Sequence, residues 1–245
     1  MFEKLKESVL DHPFRTLFFA LGTLLTSRML LPAGTPERLT IAVAAPIVVA
    51  VALYAVRERR LVLRIGGAVG AVIVLVQWIT PFAPDLIPEA MHGSLMLAFW
   101  ATLALTTLFH ILDRTAVDSE VLFASIVLYI YIALVWADAY FLLAYFDPAA
   151  FEFSAALAAG IGDPIDTTAA GLTRQDFYYF SVTTLTTLGY GDITPTTPLA
   201  EFTASIQAMA GQLYLVVIVA YLVGMRTAST WDRQRRRMDP PSPSA

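Results

Sequence analysis

The chain has 245 residues, of which 57% are hydrophobic and 15% are charged, and its formal net charge is −4 at pH 7. Soluble domains average about 45–50% apolar and about 25% charged residues, so this composition indicates an integral membrane protein. Because the sequence contains no cysteine, disulfides and thiolate metal sites are excluded. The net charge is too small to indicate a class of partner.

Six apolar segments are predicted to span the membrane, since a spanning helix needs about 20 mostly apolar residues. In chain order they are residues 14–31, 39–56, 62–80, 94–112, 120–146 and 199–225. The first is the weakest because it holds Arg15 and Arg28, which we expect to snorkel to opposite interfaces. A signal peptide is the alternative for that segment, but no clear small-residue cleavage site follows it.

The basic residues predict the orientation of these spans. With six spans, the two termini and the loops after the second and fourth spans share one side. That side carries Lys4, Lys6, Arg15, Arg57, Arg59, Arg60, Arg64, Arg114, Arg226, Arg233, Arg235, Arg236 and Arg237, and the other carries Arg28, Arg38 and Arg174. The positive-inside rule therefore places both termini in the cytoplasm of a multi-pass cell-membrane protein.

Two stretches are predicted as external, non-helical loops. Residues 80–93 are rich in proline and hold no lysine or arginine, as suits the external side. Residues 147–175 are acidic, and this loop either concentrates cations at an entrance or is an ordinary solvated loop. The sequence after Arg237 has the composition of a disordered tail.

A half-length helix is predicted between the acidic loop and the last span. Thr173 followed by Asp176 is a helix-start pattern, with a hydroxyl cap and an acid three residues later. From Asp176 to Thr186 is about 11 residues, or about 16 Å, which is half a membrane. The helix then ends at Gly189-Tyr190-Gly191, and the chain must return through non-helical backbone.

Non-helical backbone at membrane depth is tolerated only where it is buried in protein or lines a water-filled cavity. Gly189 and Gly191 permit dihedral angles that let successive carbonyls point the same way. A column of such carbonyls replaces the hydration shell of a monovalent cation. One chain supplies one wall of the column, so a closed ring predicts a cyclic homo-oligomer.

The pattern Thr184-x-x-Thr187-x-Gly189-Tyr190-Gly191-Asp192 resembles the signature of potassium channels. Residues 120–225 resemble that family's pore module of outer helix, pore helix, filter and inner helix. The resemblance implies an all-α membrane protein in which four subunits surround one pore. It also implies a K+-binding selectivity filter formed by the backbone of Thr187, Leu188, Gly189, Tyr190 and Gly191, with K+ as the permeant ion.

The resemblance divides the chain into four parts. Residues 1–13 are predicted as a cytoplasmic interfacial segment, and 14–113 as a four-helix transmembrane domain. Residues 119–226 form the pore domain, and 227–245 form a basic and then disordered cytoplasmic tail.

Several residues around the filter are predicted to support it. Leu188 replaces the valine of the family pattern, with its carbonyl still facing the ion. Tyr179 is a candidate hydrogen-bond partner for Asp192 or Tyr190. Thr183 stands where some relatives have a carboxylate that pairs with the filter aspartate, so the family's slow inactivation does not transfer safely. The supporting set is Asp192, Thr183, Thr184, Tyr179 and Asp138.

Two environments are predicted for Asp138. It lies about 27 Å along the fifth span, near the outer interface. It either occupies an ordinary interfacial position or bonds to the hydroxyls of the pore helix, because carboxylates inside a membrane are costly.

In the last span, Gly211 matches the family's hinge glycine, and helix–helix packing is the alternative for a small residue. The family's register places Leu215, Val219 and Val223 at the cavity. Gln207 and Gln212 either face the pore or pack against a neighbouring subunit. The span is otherwise apolar, so the pathway could gate by dewetting.

The front four spans predict no conventional voltage sensor, because the fourth has no repeated arginines. The basic residues at 57–60 are read as an orientation signal or a lipid-headgroup contact.

The protein is therefore expected to be a passive potassium-selective channel. It should need no cofactor, and its partners should be its own copies and membrane lipids, with no nucleic acid and no soluble substrate. No catalytic acid–base pair, nucleophile or metal cluster appears in the sequence, so an enzyme is not expected; His12, His92 and His110 form no spaced ligand set. The alternatives are a weakly selective cation channel, the membrane subunit of a potassium uptake system, and a non-conducting membrane sensor.

Overall fold

The structure is a computed structural model that describes residues 12–30, 46–54, 60–79, 88–114, 118–154 and 173–238. The helices are α1 (Pro13–Leu30), α2 (46–54), α3 (Arg60–Ile79), α4 (Glu89–Leu112), α5 (Ser119–Phe146), α6 (Arg174–Leu185) and α7 (Pro198–Met238). Two short strands, β1 (Phe151–Phe153) and β2 (Ile193–Pro195), pair with each other. Residues 1–11 of the predicted interfacial segment, most of the acidic loop, residues 57–59 of the basic cluster and the tail after Met238 lie outside the described residues.

Three stretches of the described helices are long and apolar enough to cross a membrane. They are Glu89–Leu112, Ser119–Phe146 and Pro198–Gly224. These stretches contain or nearly match the last three predicted spans, and they support the prediction of a mostly helical membrane protein. The helices α1, α2 and α3 overlap the first three predicted spans, and their crossing of the membrane stays a prediction.

Two helix boundaries differ from the sequence-based expectation. Helix α4 begins at Glu89, inside the stretch predicted as loop. Pro88 is the N-cap residue, and the carboxylate of Glu89 interacts favourably with the positive end of the helix dipole. Helix α7 continues to Met238, since no proline or glycine interrupts residues 227–238 and the terminal arginines suit the negative end of the dipole.

Helix α5 is the central element of the fold. It contacts α1, α4, α6 and α7, while α3 packs on α4. Its N-terminal half is part of an apolar core with aromatic members that include Phe14, Phe99, Trp100 and Tyr131. A glycine also allows close approach at the other half of α5, where Gly93 of α4 packs against Phe141.

A second aromatic core surrounds the other half of α5 and the half-helix α6. Tyr140, Phe177 and Phe180 meet Phe151 edge to face, with ring centroids 5.3–5.6 Å apart. Phe151 lies on β1, which pairs antiparallel with β2 so that Phe151 is opposite Pro195 and Phe153 is opposite Ile193. The region predicted as an irregular loop after α5 is therefore tied to the chain that follows α6.

Candidate functional site

Helix α6 is a half-length helix whose N-terminus is closed by a capping box. The carboxylate of Asp176 accepts hydrogen bonds from the backbone N–H and the hydroxyl of Thr173, each at 2.7 Å. The helix runs for 12 residues, which is about 18 Å and too short to cross a bilayer. It is the half-helix that the sequence predicts, beginning two residues earlier at Arg174.

The chain stays attached to the end of α6 as it leaves the helix. The Thr183 carbonyl accepts from the N–H groups of Leu188 and Gly189, at 2.8 and 3.2 Å, and the Thr184 carbonyl accepts from Thr187 at 3.0 Å. The Thr183 hydroxyl instead donates to the Phe180 carbonyl within the helix. Both threonines therefore contact the segment after the helix through their backbone.

The backbone from Thr187 to Gly191 alternates in handedness. Thr187, Gly189 and Gly191 have φ of 58°, 51° and 77°, whereas the intervening Leu188 and Tyr190 do not have positive φ. In an extended strand successive carbonyls point to opposite sides; reversing the sign of φ at every second residue turns them toward the same side. The five residues can thus present a column of carbonyl oxygens.

Thr187 is the part of this pattern that the sequence did not reveal. It is the one non-glycine residue with positive φ in the described part of the chain, and a β-branched side chain is strongly disfavoured there. Such strain costs on the order of 1–3 kcal/mol and persists where the surroundings enforce it. Here the bond from its N–H to Thr184, together with those of Leu188 and Gly189, holds the turn.

The side chains of this segment are uncovered in the single chain. Leu188 is 56% exposed and Tyr190 is 68% exposed. The non-helical backbone that carries them would be poorly placed against lipid, which cannot satisfy backbone polar groups. The segment is suited to being covered by other copies of the chain.

Asp192 follows the segment from Thr187 to Gly191, and a side chain of α6 binds its carboxylate. The Tyr179 hydroxyl donates to its carboxylate at 2.6 Å, and the ring of Tyr179 is parallel to that of Tyr190 within 3°, with centroids 6.5 Å apart. The Asp192 carbonyl accepts from Ser154 at 2.8 Å, directly after β1. The end of the segment is thereby fixed between α6 and the paired strands.

Asp138 of α5 lies beside the first turn of α6, and its side chain is fully buried. It accepts from Nη1 of Arg174 at 2.7 Å, and the guanidinium also lies 4.1 Å from the centre of the Phe141 ring. An arginine in the first turn opposes the helix dipole, so the nearby carboxylate offsets its charge. This ion pair explains how the carboxylate is accommodated, and a bond to the hydroxyls of α6, one alternative from the sequence, stays a prediction.

The residues singled out on α7 fall on different faces. Gly211 is pressed against the end of α6, because an added Cβ would collide with the Leu185 carbonyl oxygen. Helix packing thus accounts for a glycine here, and a hinge stays a prediction. Leu215, Val219 and Val223 are each at least half exposed in the single chain. Gln207 is fully buried, whereas Gln212 is exposed.

Comparison with known proteins identifies the region that contains this site. Residues 121–227 match the family model described as Ion channel. The match spans nearly all of α5, both strands, α6 and α7 as far as Thr227. It points to an ion channel in a membrane, and not to an enzyme. No curated protein and no solved structure matches the chain.

Proposed function

We propose that the protein is a passive potassium-selective channel, formed by four copies of the chain and lacking a conventional voltage sensor. The observation that carries the proposal is the alternating backbone from Thr187 to Gly191 at the end of a half-length helix. It lies within the residues that match the ion-channel family.

Conduction would follow from the carbonyl column. A cation that enters the filter exchanges water oxygens for the carbonyl oxygens of Thr187, Leu188, Gly189 and Tyr190, so it need not pay the full cost of dehydration. The hydrogen bonds that the Thr183 and Thr184 carbonyls accept from the filter amides, together with the bond from Tyr179 to Asp192, resist collapse of the backbone onto a smaller ion.

The half-helix contributes electrostatically. A helix carries roughly half an elementary negative charge at its C-terminus, and α6 ends at Leu185, immediately before the filter. Four such ends around one axis would favour a cation in the middle of the membrane, where it is otherwise poorly solvated.

Assembly is required because one chain supplies one wall. In α7, 17% of an apolar 18-residue stretch within Pro198–Gly224 is buried inside the chain, compared with 50% of the corresponding stretch in α5. The exposed side of α7 and the exposed filter residues are available for neighbouring copies. The number four rests on the resemblance to potassium channels.

The absence of a voltage sensor is proposed from α4, the helix that precedes the pore region. Its sequence from Glu89 to Leu112 contains no lysine or arginine, so it carries no row of gating charges. Voltage-step recordings should show no steep gating charge; several elementary charges per subunit would contradict this part of the proposal.

The test is the reversal potential of the purified protein in planar bilayers under opposed potassium and sodium gradients. We expect a reversal potential close to the potassium equilibrium potential. A value midway between the two equilibrium potentials would favour the weakly selective cation channel, and no current from folded, oligomeric protein would favour a non-conducting role.

A glycine substitution links the current to the filter. Gly189→Ala places a Cβ at a left-handed position, at a cost of roughly 1–2 kcal/mol, and should abolish selectivity or conduction. Gly22→Ala in α1 is the matched control, because an added Cβ there meets nothing within 4 Å. Both variants should insert into the membrane and assemble like the wild type.

A further inference from the structure

Gln207 of α7 is the centre of a buried hydrogen-bond chain that connects three helices. Its Oε1 accepts from the hydroxyl of Tyr140 on α5 at 2.6 Å. Its Nε2 donates to Oγ of Ser181 on α6 at 2.7 Å and to the Ser181 carbonyl at 3.0 Å. The Ser181 hydroxyl then donates to the Ala133 carbonyl of α5 at 2.7 Å.

Because these hydrogen-bonded side chains are buried, the loss of any one bond should be costly. Gln207 and Ser181 are 0% exposed and Tyr140 is 1% exposed. A buried polar group that loses its partner keeps its desolvation cost, so removing one member penalises those that remain. Small or apolar residues can also pack helices in a membrane, so what the amide adds here is a set of hydrogen bonds to α5 and α6.

The hydrogen bonds of Gln207 fix the second half of α6 against α7. Gln207 and Gly211 are one turn apart on α7, and they contact Ser181 and Leu185, which are one turn apart on α6. The two helices are thus docked at two successive turns, by a hydrogen-bonded amide and by a direct contact with backbone. Thr183, whose carbonyl holds the filter amides, lies between the two docking points.

We propose that Gln207 is a positioning residue that keeps α6, and through it the filter backbone, in the conducting arrangement. The inference rests on the proposed function. Displacing α7 at Gln207 would move Ser181 and release the Thr183 carbonyl from the filter. Bending of α7 beyond Gly211 would leave the filter in place, because both docking contacts lie at or before that residue.

The test compares variants of the buried hydrogen-bonded side chains with a matched control. Gln207→Leu removes the amide at similar volume, and Ser181→Ala removes the hydroxyl that joins α6 to α5 and α7. Ser205→Ala is the control, since the Ser205 hydroxyl donates to the Glu201 carbonyl within α7. Each variant is reconstituted, and the permeability ratio of potassium to sodium is obtained from the reversal potential.

A second measurement does not depend on conduction. Hydrogen–deuterium exchange of a peptide containing Leu188 and Gly189 reports the amides that bond to Thr183. We expect Gln207→Leu and Ser181→Ala to speed this exchange and to lower the permeability ratio by about tenfold or more, as the loss of a buried partner implies. Ser205→Ala should leave both quantities within about twofold of wild type, as expected for an exposed position outside the network.

The outcomes separate this inference from the proposed function. If Gln207→Leu and Ser181→Ala leave both quantities unchanged, or if Ser205→Ala alters them equally, the positioning role is wrong. If the wild type is not potassium-selective, the proposed function fails, while the exchange comparison still decides the role of Gln207. If Gln207→Leu does not fold, Tyr140→Phe removes one hydroxyl from the same chain and is judged by the same exchange criterion.

Discussion

The helices before residue 114 and the region from α5 to α7 differ in what some of their hydroxyl groups contact. In α1 and α4, Thr23 and Thr102 donate to the carbonyl four residues back in their own helix. In the second region, Ser181, Tyr140 and Tyr214 donate to groups on other helices, at 2.5–2.7 Å. The first helices are held to α5 largely through apolar and aromatic side chains.

A polar contact between helices also occurs in the first region, at the beginning of α1. Glu120 of α5 accepts from the Phe14 N–H at 2.9 Å and lies 3.3 Å from His12. This contact orients the N-terminus of α1, whereas the contacts of α6 with α5 and α7 position the helix that carries the filter. The difference indicates that substitutions in the first region should act on stability, and those in the second on conduction as well.

The largest effect is expected at Gly211. Gly211→Ala places a Cβ against the Leu185 carbonyl, which is backbone and cannot turn aside. Overpacking usually costs about 1–3 kcal/mol, and a fixed neighbour should put this variant at or above the upper limit. Thermal denaturation of the solubilised oligomer, together with single-channel recording, measures the loss of stability and of current.

Gly93→Ala is the corresponding change in the first region. Its Cβ would meet the side chains of Leu142 and Phe141 at 3.0–3.3 Å, and side chains can rotate, so the loss should be smaller. Gly224→Ala, where nothing lies within 4 Å, should be close to neutral. An equal loss for Gly93→Ala and Gly211→Ala would contradict the distinction between the two regions.

The next effect is expected at the ion pair beside α6. Asp138→Asn leaves Arg174 facing a neutral partner in a site where the carboxylate is fully buried. Breaking a buried pair from one side costs about 3–5 kcal/mol, and the lower end applies because the Arg174 side chain is 18% exposed. The free energy of unfolding should fall by roughly 3 kcal/mol at neutral pH.

A double-mutant cycle sharpens that measurement. Asp138→Asn combined with Arg174→Gln removes both charges and should lose less stability than the two single losses added together. Additive losses would show that the two side chains are not coupled.

The sequence predicts the course of the backbone in this protein better than the partners of its side chains. Hydropathy and the Thr173–Asp176 start pattern determine where α6 lies and how far it reaches, since these are local signals. The glycines at 189 and 191 mark the positions of left-handed backbone for the same reason.

The missed features depend on residues distant in the sequence. Asp138 and Arg174 are 36 residues apart, and only the packing of α5 against α6 brings them together. Strand β1 is three residues long, too short for a periodic signal, and it forms because β2 pairs with it. Thr187 adopts a conformation that its own side chain opposes, so no local propensity predicts it.

A smaller effect is expected at Tyr179. Tyr179→Phe removes the hydrogen bond to Asp192 and keeps the ring that lies parallel to Tyr190. A hydrogen bond to a charged group contributes about 1.5–3 kcal/mol, and the loss should appear as faster decay of current at constant voltage. Tyr145→Phe, at an exposed tyrosine of α5, is the control and should leave the decay unchanged.

The smallest effect is expected at Thr102, and it tests the comparison from the other side. The Thr102 hydroxyl donates to the Ala98 carbonyl, a backbone group that α4 already satisfies by its own hydrogen bonding. Thr102→Val keeps the β-branched shape, so the free energy of unfolding should change by no more than about 0.5 kcal/mol. Ser181→Ala removes a hydroxyl of the same chemistry, yet its two partners lie on other helices. If chemical denaturation gave the two variants equal losses, a hydroxyl that connects helices would add no more stability than one that bonds within its own helix, and the comparison between the two regions would fail.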